Sequence, residues 1–418
     1  MSRPDTPDTA LAQLFAEQRS KGHARAFALP GGSTLYEAES EADELYFLEA
    51  GRLGAFRREE GQEQQFLGVI RAGEPAGEMA LIAGTPHSAA VIALRDSEVL
   101  ALPKAAFLKA AEQSPGVMTE LARLMILRTR QTSGAKSVGA PSVYGFIAVD
   151  EGPAIRPLVQ AIAAEVERLG YSVAVSGAEA SAASTEWFSN LEAAHDFVLY
   201  CAEHAEEPWK PVVGRQVDRL FWVGHGQRKP PPSLGPYASQ PLQAQQLVDL
   251  LLLQPPSRRQ PFGTARWLDA TGAARHFHLR HGEAADIQRI ARVLTGQSVG
   301  LVLSGGGARA YAHVGAVRAL REHGVPIDFI GGASMGGMIG AGVALGWDGE
   351  ELDRRVRTAF VNSSPISDIA FPPMVSMTRG SRVRERLQEH FGALQIEDLA
   401  LPFFCVSSNL TTGAYHLH

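Results

Sequence analysis

Residues 301–346 read LVLSGGGARAYAHVGAVRALREHGVPIDFIGGASMGGMIGAGVALG, and no other stretch restricts what this chain can fold into as tightly. The apolar run Val299 to Leu303 predicts a buried strand that stops at Ser304-Gly305-Gly306-Gly307. Adjacent glycines cost conformational entropy and pack nothing, so they persist where backbone must turn sharply or approach another group closely. Val314, Val317 and Leu320 follow at helical spacing, and Gly324 and Pro326 end that helix. A second strand, Ile327 to Gly331, runs into Gly332-Ala333-Ser334-Met335-Gly336, a G-x-S-x-G between a strand and a small-residue helix. In that context the motif is a nucleophile elbow: the serine hydroxyl projects from a tight turn, and the new helix aims free N–H groups at the same place.

Two parallel strands in a right-handed unit end on the same edge of their sheet, so the glycine loop and the elbow should meet. A nucleophile beside unpaired N–H donors is equipment for acyl transfer. Other readings of these residues are weaker. Gly305 to Ala310 fits the dinucleotide pattern G-x-G-x-x-A, but that pattern needs an acidic residue where this second strand enters the elbow. Phe329 to Trp347 is uncharged and long enough for a bilayer, yet its seven glycines and internal turn suit a buried elbow and helix. His313 lies on the helix after the glycine loop and reads as a brace for that loop rather than as a base for Ser334.

GGGARAYAHVG followed by GASMG resembles the patatin-like phospholipases, in particular the bacterial relatives of neuropathy target esterase. The resemblance implies an oxyanion hole from Gly305, Gly306 and Gly307, loop support from Arg309, and Ser334 as nucleophile. It implies a serine esterase of lysophospholipids or phospholipids that needs no cofactor. Ala310 stands where many members have glycine. The family's second catalytic group is an aspartate in a later Asp-Gly-Gly or Asp-Gly-Ala, and neither tripeptide follows Ser334. Asp348 closes the elbow helix, and Asp368 and Asp398 lack the context. The expectation is therefore a catalytic domain represented only by its front part, with little activity in this fragment, because serine without a base is a weak nucleophile.

Upstream, short β-rich segments (Ser33 to Tyr36, Glu44 to Leu48, Gly54 to Phe56, Gln65 to Ile70, Ala89 to Leu94, Glu98 to Leu102) precede helical segments from Ala105 to Arg130. Ala10 to Phe15 reads as a short helix before them. The segment Gly77 to Ala89, GEMALIAGTPHSA, resembles the phosphate cassette of cyclic nucleotide-binding domains. Glu78 then matches the ribose acceptor, while His87 replaces the arginine that holds the cyclic phosphate. Arginine offers a permanent bidentate cation; histidine would need its imidazolium form. Cyclic AMP or cyclic GMP is the effector that the resemblance implies, and with His87 in the arginine's place the roll also reads as a structural or docking domain.

Between these regions, Val143 to Val149, Tyr171 to Val175, Phe197 to Cys201 and Arg219 to Val223 alternate with helices such as Ile155 to Leu169, giving a parallel α/β domain. The turn Asp150-Glu151-Gly152-Pro153 is acidic and unsuited to phosphate. His225, His276, His278 and His281 lack the cysteine or paired carboxylates of a metal site, and His276 and His278 read as surface residues of a strand. Helix Ala284 to Leu294 leads into the glycine-loop strand. Beyond the elbow, Glu350 to Phe360 and Arg382 to Phe391 read as helices around an irregular proline-bearing stretch, and Pro402 to Ser408 as a third buried strand.

The expected architecture is thus multidomain: a cyclic-nucleotide-binding-type β-roll with helices over 9–135, a parallel α/β spacer over 140–294, and an incomplete patatin-like α/β domain over 297–418. A formal charge of −6 supplies no basic field for nucleic acid. Two cysteines, Cys201 and Cys405, fit a reducing compartment, and the N-terminus lacks an apolar signal core. Cytoplasm, with contact at the inner face of the membrane, is the expected location. A reading from another class is a catalytically silent module that responds to a cyclic nucleotide or binds a partner.

Overall fold

The computed structural model describes residues 9–57, 65–132, 142–205, 208–232, 247–256, 260–361, 380–409 and 411–418. The chain divides into two compact units, residues 1–221 with 234–247, and residues 222–233 with 248–418.

The first unit opens with helix α1 (Ala10–Ser20), whose first turn is capped by the Thr9 side chain accepting from Ala12 N–H. It runs past the expected Phe15, and Gln18 near its end is buried as well. Strands β1 (Arg25–Leu29), β2 (Thr34–Tyr36), β3 (Glu44–Ala50), β4 (Arg52–Arg57), β5 (Gln65–Arg71) and β6 (Pro75–Ala76) follow. Helix α2 (Glu78–Ala83), strands β7 (Ala90–Ala93) and β8 (Ser97–Pro103), and helices α3 (Lys104–Glu112) and α4 (Pro115–Thr132) complete the roll. Its two sheets have the orders β1-β8-β3-β6 and β2-β7-β4-β5, with antiparallel pairing throughout. Leu48, Leu53, Val91 and Val99 fill the space within the roll, and Leu11, Phe15, Phe47, Phe107 and Leu121 seal α1, α3 and α4 onto it.

The same unit contains β9 (Val143–Ala148), α5 (Arg156–Arg168), β10 (Val173–Ser176), α6 (Thr185–Ala194), β11 (Phe197–Ala202), α7 (Lys210–Gln216) and the start of β12 (Arg219–His225). β10, β11 and β9 pair in parallel, as the strand-helix alternation predicts. All six residues of β9 are buried, which is why it reads as a continuous apolar run rather than an alternation. Within this unit the roll is joined to the α/β layer by charge. Arg95 pairs with Asp218 at 2.7 Å and with Glu192, Arg52 reaches Asp218 at 3.0 Å, and Arg215 holds Asp96 at 2.9 Å. The other Asp218 oxygen accepts from the N–H groups of Ser142 and Val143, so one carboxylate anchors the start of β9. Burial alone would raise its pKa, but Arg95 and then Arg52 outweigh that and hold it below the usual range.

In the second unit lie β13 (Leu247–Gln254), α8 (Thr264–Thr271), β14 (Arg275–Arg280) and α9 (Ala284–Leu294). β13 and β14 pair in parallel, and β13 is a strand that the sequence pattern did not suggest. β13 carries Asp249 inside its apolar run, fully buried and answered by Arg275 on β14 at 2.8 Å. His276 and His278 are not surface residues. His278 is 1% exposed, and both rings donate from Nε2 to the carbonyl of Glu397 at 2.9 Å, while His278 Nδ1 lies 3.0 Å from the Gln254 amide. Alternation along a strand carries no information about what packs against it, and here the Glu397 carbonyl accepts from both rings.

The last sheet comprises β15 (Gly300–Leu303), β16 (Phe329–Ala333), β17 (Phe403–Asn409) and β18 (Ala414–Leu417) in that order, the first three parallel and β18 antiparallel. Helices α10 (Ala312–Glu322), α11 (Met335–Ala344), α12 (Gly349–Val356) and α13 (Ser381–Phe391) accompany it. Leu303, Val314, Val317, Ile330, Ile339 and Val343 form the core on one face. On the other face Val302 is 68% exposed and Phe404 and Val406 are exposed, so neither β15 nor β17 is the buried strand expected: only Leu303 of β15 and no residue of β17 is buried. The proline-bearing stretch with Pro365, Pro372 and Pro373, and Asp368, lie outside the described residues. No helix among the described residues is long and apolar enough to cross a membrane.

Candidate active site

The elbow is built by absence of side chains at two places. A Cβ on Gly332 would lie 2.7 Å from the Leu303 carbonyl oxygen and from backbone of Gly336 and Gly337. One on Gly336 would lie 2.3 Å from the Leu303 oxygen and 2.4 Å from that of Ser304. Strand β15, strand β16 and the first turn of α11 therefore touch backbone to backbone, and only glycine permits it. Between them Ser334 takes φ 52° and ψ −126°, one of two non-glycine residues with positive φ among those described. Such a conformation is strained and persists when its surroundings over-determine it. Ser334 is exposed and is the N-cap residue of α11, but its hydroxyl makes no capping bond.

The loop and the elbow do meet. A Cβ on Gly305 would be 3.3 Å from the Ser334 Cβ and 3.4 Å from the Ala333 carbonyl oxygen. Gly307 has φ +53°, and the loop closes into a short 3-10 turn, Gly307–Tyr311, with Arg309 N–H donating to the Gly306 carbonyl at 3.2 Å. Arg309 thus serves the loop through its backbone; its side chain is exposed and makes no hydrogen bond or ion pair among the described residues. His313 donates from Nε2 to the Ser304 carbonyl at 3.0 Å, in keeping with a brace. Asp348 is occupied as the N-cap of α12, accepting from Glu351 N–H at 2.7 Å. Asp398 accepts from the Thr264 N–H and hydroxyl at 3.0 and 2.7 Å. The sequence reading did not anticipate Ser407 and His418. Ala333 pairs with Val406, so Ser407 follows at the strand end where the elbow begins, and its Oγ lies 2.7 Å from His418 Nε2 across the β17–β18 hairpin.

In the roll, a cavity of about 330 Å³ is lined among others by Tyr36, Arg57, Glu78, His87, Ser88 and Arg128. The structure brings Glu78 and His87 to one cavity, as the cassette predicts, but neither is free. Glu78 is 2% exposed, and its carboxylate accepts from Arg128 of α4 at 2.7 Å; the same guanidinium reaches Glu74 at 3.2 Å and the Pro75 carbonyl at 2.9 Å. Burial would lower the Arg128 pKa, but Glu78 and then Glu74 outweigh it and raise it. His87 is 3% exposed and stacked on Tyr36 with ring centroids 3.8 Å apart, and burial lowers its pKa. The imidazolium that a phosphate would need is thereby disfavoured. Arg128 carries no sequence signal, since it lies 50 residues from Glu78 on an ordinary amphipathic helix.

Comparison with known proteins gives three family matches along the chain. Residues 27–114 match the cyclic nucleotide-binding domain, 163–295 the neuropathy target esterase family P-loop like domain, and 301–417 the patatin-like phospholipases. An uncharacterized NTE family protein of Mycobacterium tuberculosis is 31% identical over 403 residues, which cover 93% of this chain and 65% of that protein. The neuropathy target esterase sws of Drosophila virilis is 26% identical over 451 residues, covering 93% of this chain and 30% of its own. The chain therefore spans less than two thirds of the length of these curated relatives. The order of roll, α/β spacer and elbow-bearing sheet is the order of the three matches, and the chain is similar along 93% of its length to proteins of the neuropathy target esterase family.

Proposed function

We propose that Ser334 is the nucleophile of a serine esterase that cleaves acyl esters of lysophospholipids or phospholipids. One observation carries the reading: Gly305 lies against Ser334, whose hydroxyl is exposed and uncommitted on a strained elbow. In this mechanism the Ser334 oxygen attacks the acyl carbonyl, and the charge that develops on the carbonyl oxygen is met by N–H groups of Gly305, Gly306 and Gly307 and of the first turn of α11. Collapse expels the alcohol and leaves an acyl-serine, which water then hydrolyses. The serine proton must be accepted by a base and returned to the leaving alcohol. Asp348 and Asp398 are committed elsewhere, so neither is given that role. These 418 residues are expected to turn over slowly by themselves, through oxyanion stabilisation. The substrate class implies work at a lipid surface, at the inner face of the membrane.

The test is covalent labelling. A fluorophosphonate should modify Ser334 in the full-length protein, and that protein should hydrolyse a medium-chain ester. Ser334→Ala should abolish both signals; retention of either would remove the nucleophile assignment.

A second reading concerns the roll, and the Arg128–Glu78 pair favours it. A cyclic nucleotide would reach Glu78 only by displacing Arg128. The roll then acts as an effector or partner-binding module whose ribose site is closed by its own helix at rest.

A further inference from the structure

We propose that His313 is a positioning residue that sets the direction of the first N–H donor of the glycine loop by holding the Ser304 carbonyl. The proposal rests on the reading of Gly305–Gly307 as the donors that face the reacting carbonyl. His313 sits in the first turn of α10, and its Nε2 lies 3.0 Å from the Ser304 oxygen. A carbonyl can only accept, so Nε2 carries the proton in this contact. The amide between Ser304 and Gly305 is planar and trans, which makes its C=O and N–H antiparallel. Holding the oxygen towards α10 therefore fixes the Gly305 N–H on the opposite side of that plane.

The loop needs such a hold. A peptide plane reverses by rotating about ψ of one residue and φ of the next, and glycine at the second position leaves both orientations sterically open. Gly305 supplies that freedom directly beside Ser334. Packing limits only part of it: the Ser304 oxygen rests against the first turn of α11, where a Cβ on Gly336 would come within 2.4 Å of it. Contact with Gly336 sets how closely the carbonyl approaches, but a glycine surface offers no directional bond. The His313 imidazole is the side chain that supplies one among the described residues. The same bond separates this role from general-base catalysis. Its Nε2 proton is given to a backbone oxygen and not exchanged with Ser334.

The experiment compares wild type, His313→Ala and His313→Gln in the full-length protein, because a glutamine amide can donate from nearly the place of Nε2. Loss of one orienting hydrogen bond should lower kcat about five- to tenfold in His313→Ala with KM within about twofold. His313→Gln should recover kcat to within about twofold of wild type and keep the shape of the pH–rate profile. Unchanged kcat in His313→Ala, or no rescue by glutamine, overturns the proposal; so does loss of an ionisation from the pH profile of His313→Gln, which would make the imidazole a base. Amide hydrogen exchange over residues 304–310 reads the loop without turnover. Faster exchange in His313→Ala that glutamine restores supports the brace, and exchange identical to wild type overturns it. This arm stands even if Ser334→Ala leaves labelling intact, which would instead sink the esterase reading.

Discussion

Gly336 and Gly305 are both glycine in the same motif region, but for different reasons, and a methyl group distinguishes them. At Gly336 the added Cβ would overlap two carbonyl oxygens at 2.3 and 2.4 Å, and backbone cannot step aside as a flexible side chain can. Gly336→Ala should therefore destabilise the second unit by about 1–3 kcal/mol or more, the range of overpacking in a filled interior. At Gly305 the nearest atom is the Ser334 Cβ at 3.3 Å, a tight but tolerable contact. Gly305→Ala should keep the urea midpoint nearly unchanged and slow fluorophosphonate labelling of Ser334. Equal losses of stability in the two variants would contradict this division. Both glycines were legible in the sequence as parts of motifs. Which one the fold needs and which one the chemistry needs depends on what lies across from them.

At the scale of the element, strand β14 contains a proton-linked contact that its alternation did not reveal. His278 is buried, and burial followed by its neighbour His276 pushes its pKa down to about 4. The folded state thus refuses a proton that the unfolded chain binds below its ordinary value near 6.5. Stability from this site is fully present above that value and is lost as pH falls towards 4, by an amount on the order of 3 kcal/mol. Protection factors of the β14 amides, which are corrected for the intrinsic pH dependence of exchange, should fall between pH 7 and 4.5, and His278→Gln should flatten that dependence while keeping a donor for the Glu397 carbonyl. A pH dependence unchanged by the substitution would assign it to other groups. Helix α4 offers a second case. Arg128→Gln leaves the Glu78 carboxylate buried without its cation, which should cost the roll about 3–5 kcal/mol at pH 7, measured by urea unfolding. The same change opens the acceptor, so calorimetric titration with cyclic AMP should give tighter binding than in wild type if the roll still takes a nucleotide. Equal or absent heats in both proteins would leave the roll as a docking or structural module.

Across the whole molecule, the sequence by itself determined the parts that depend on local pattern. Consecutive glycines at a strand end, G-x-S-x-G before a small-residue helix, short β segments followed by helices, and strand-helix alternation each describe neighbours in the chain, and each produced the element or turn expected of it. The resemblance to patatin-like phospholipases rests on the same local motifs, so it too was legible before the fold was known. Tertiary structure decided the rest, because it concerns residues far apart in sequence. Arg128 closes on Glu78 over 50 positions, Asp218 meets Arg95 over 123, and Asp398 caps Thr264 over 134. Burial of His276 and His278 depends on Glu397, more than 100 residues downstream. No periodicity encodes these meetings. A guanidinium or a carboxylate on a helix face looks the same in sequence whether it faces water or a buried partner. Only the folded chain determines the dielectric around it, and with that its charge, its partner and its availability to a ligand.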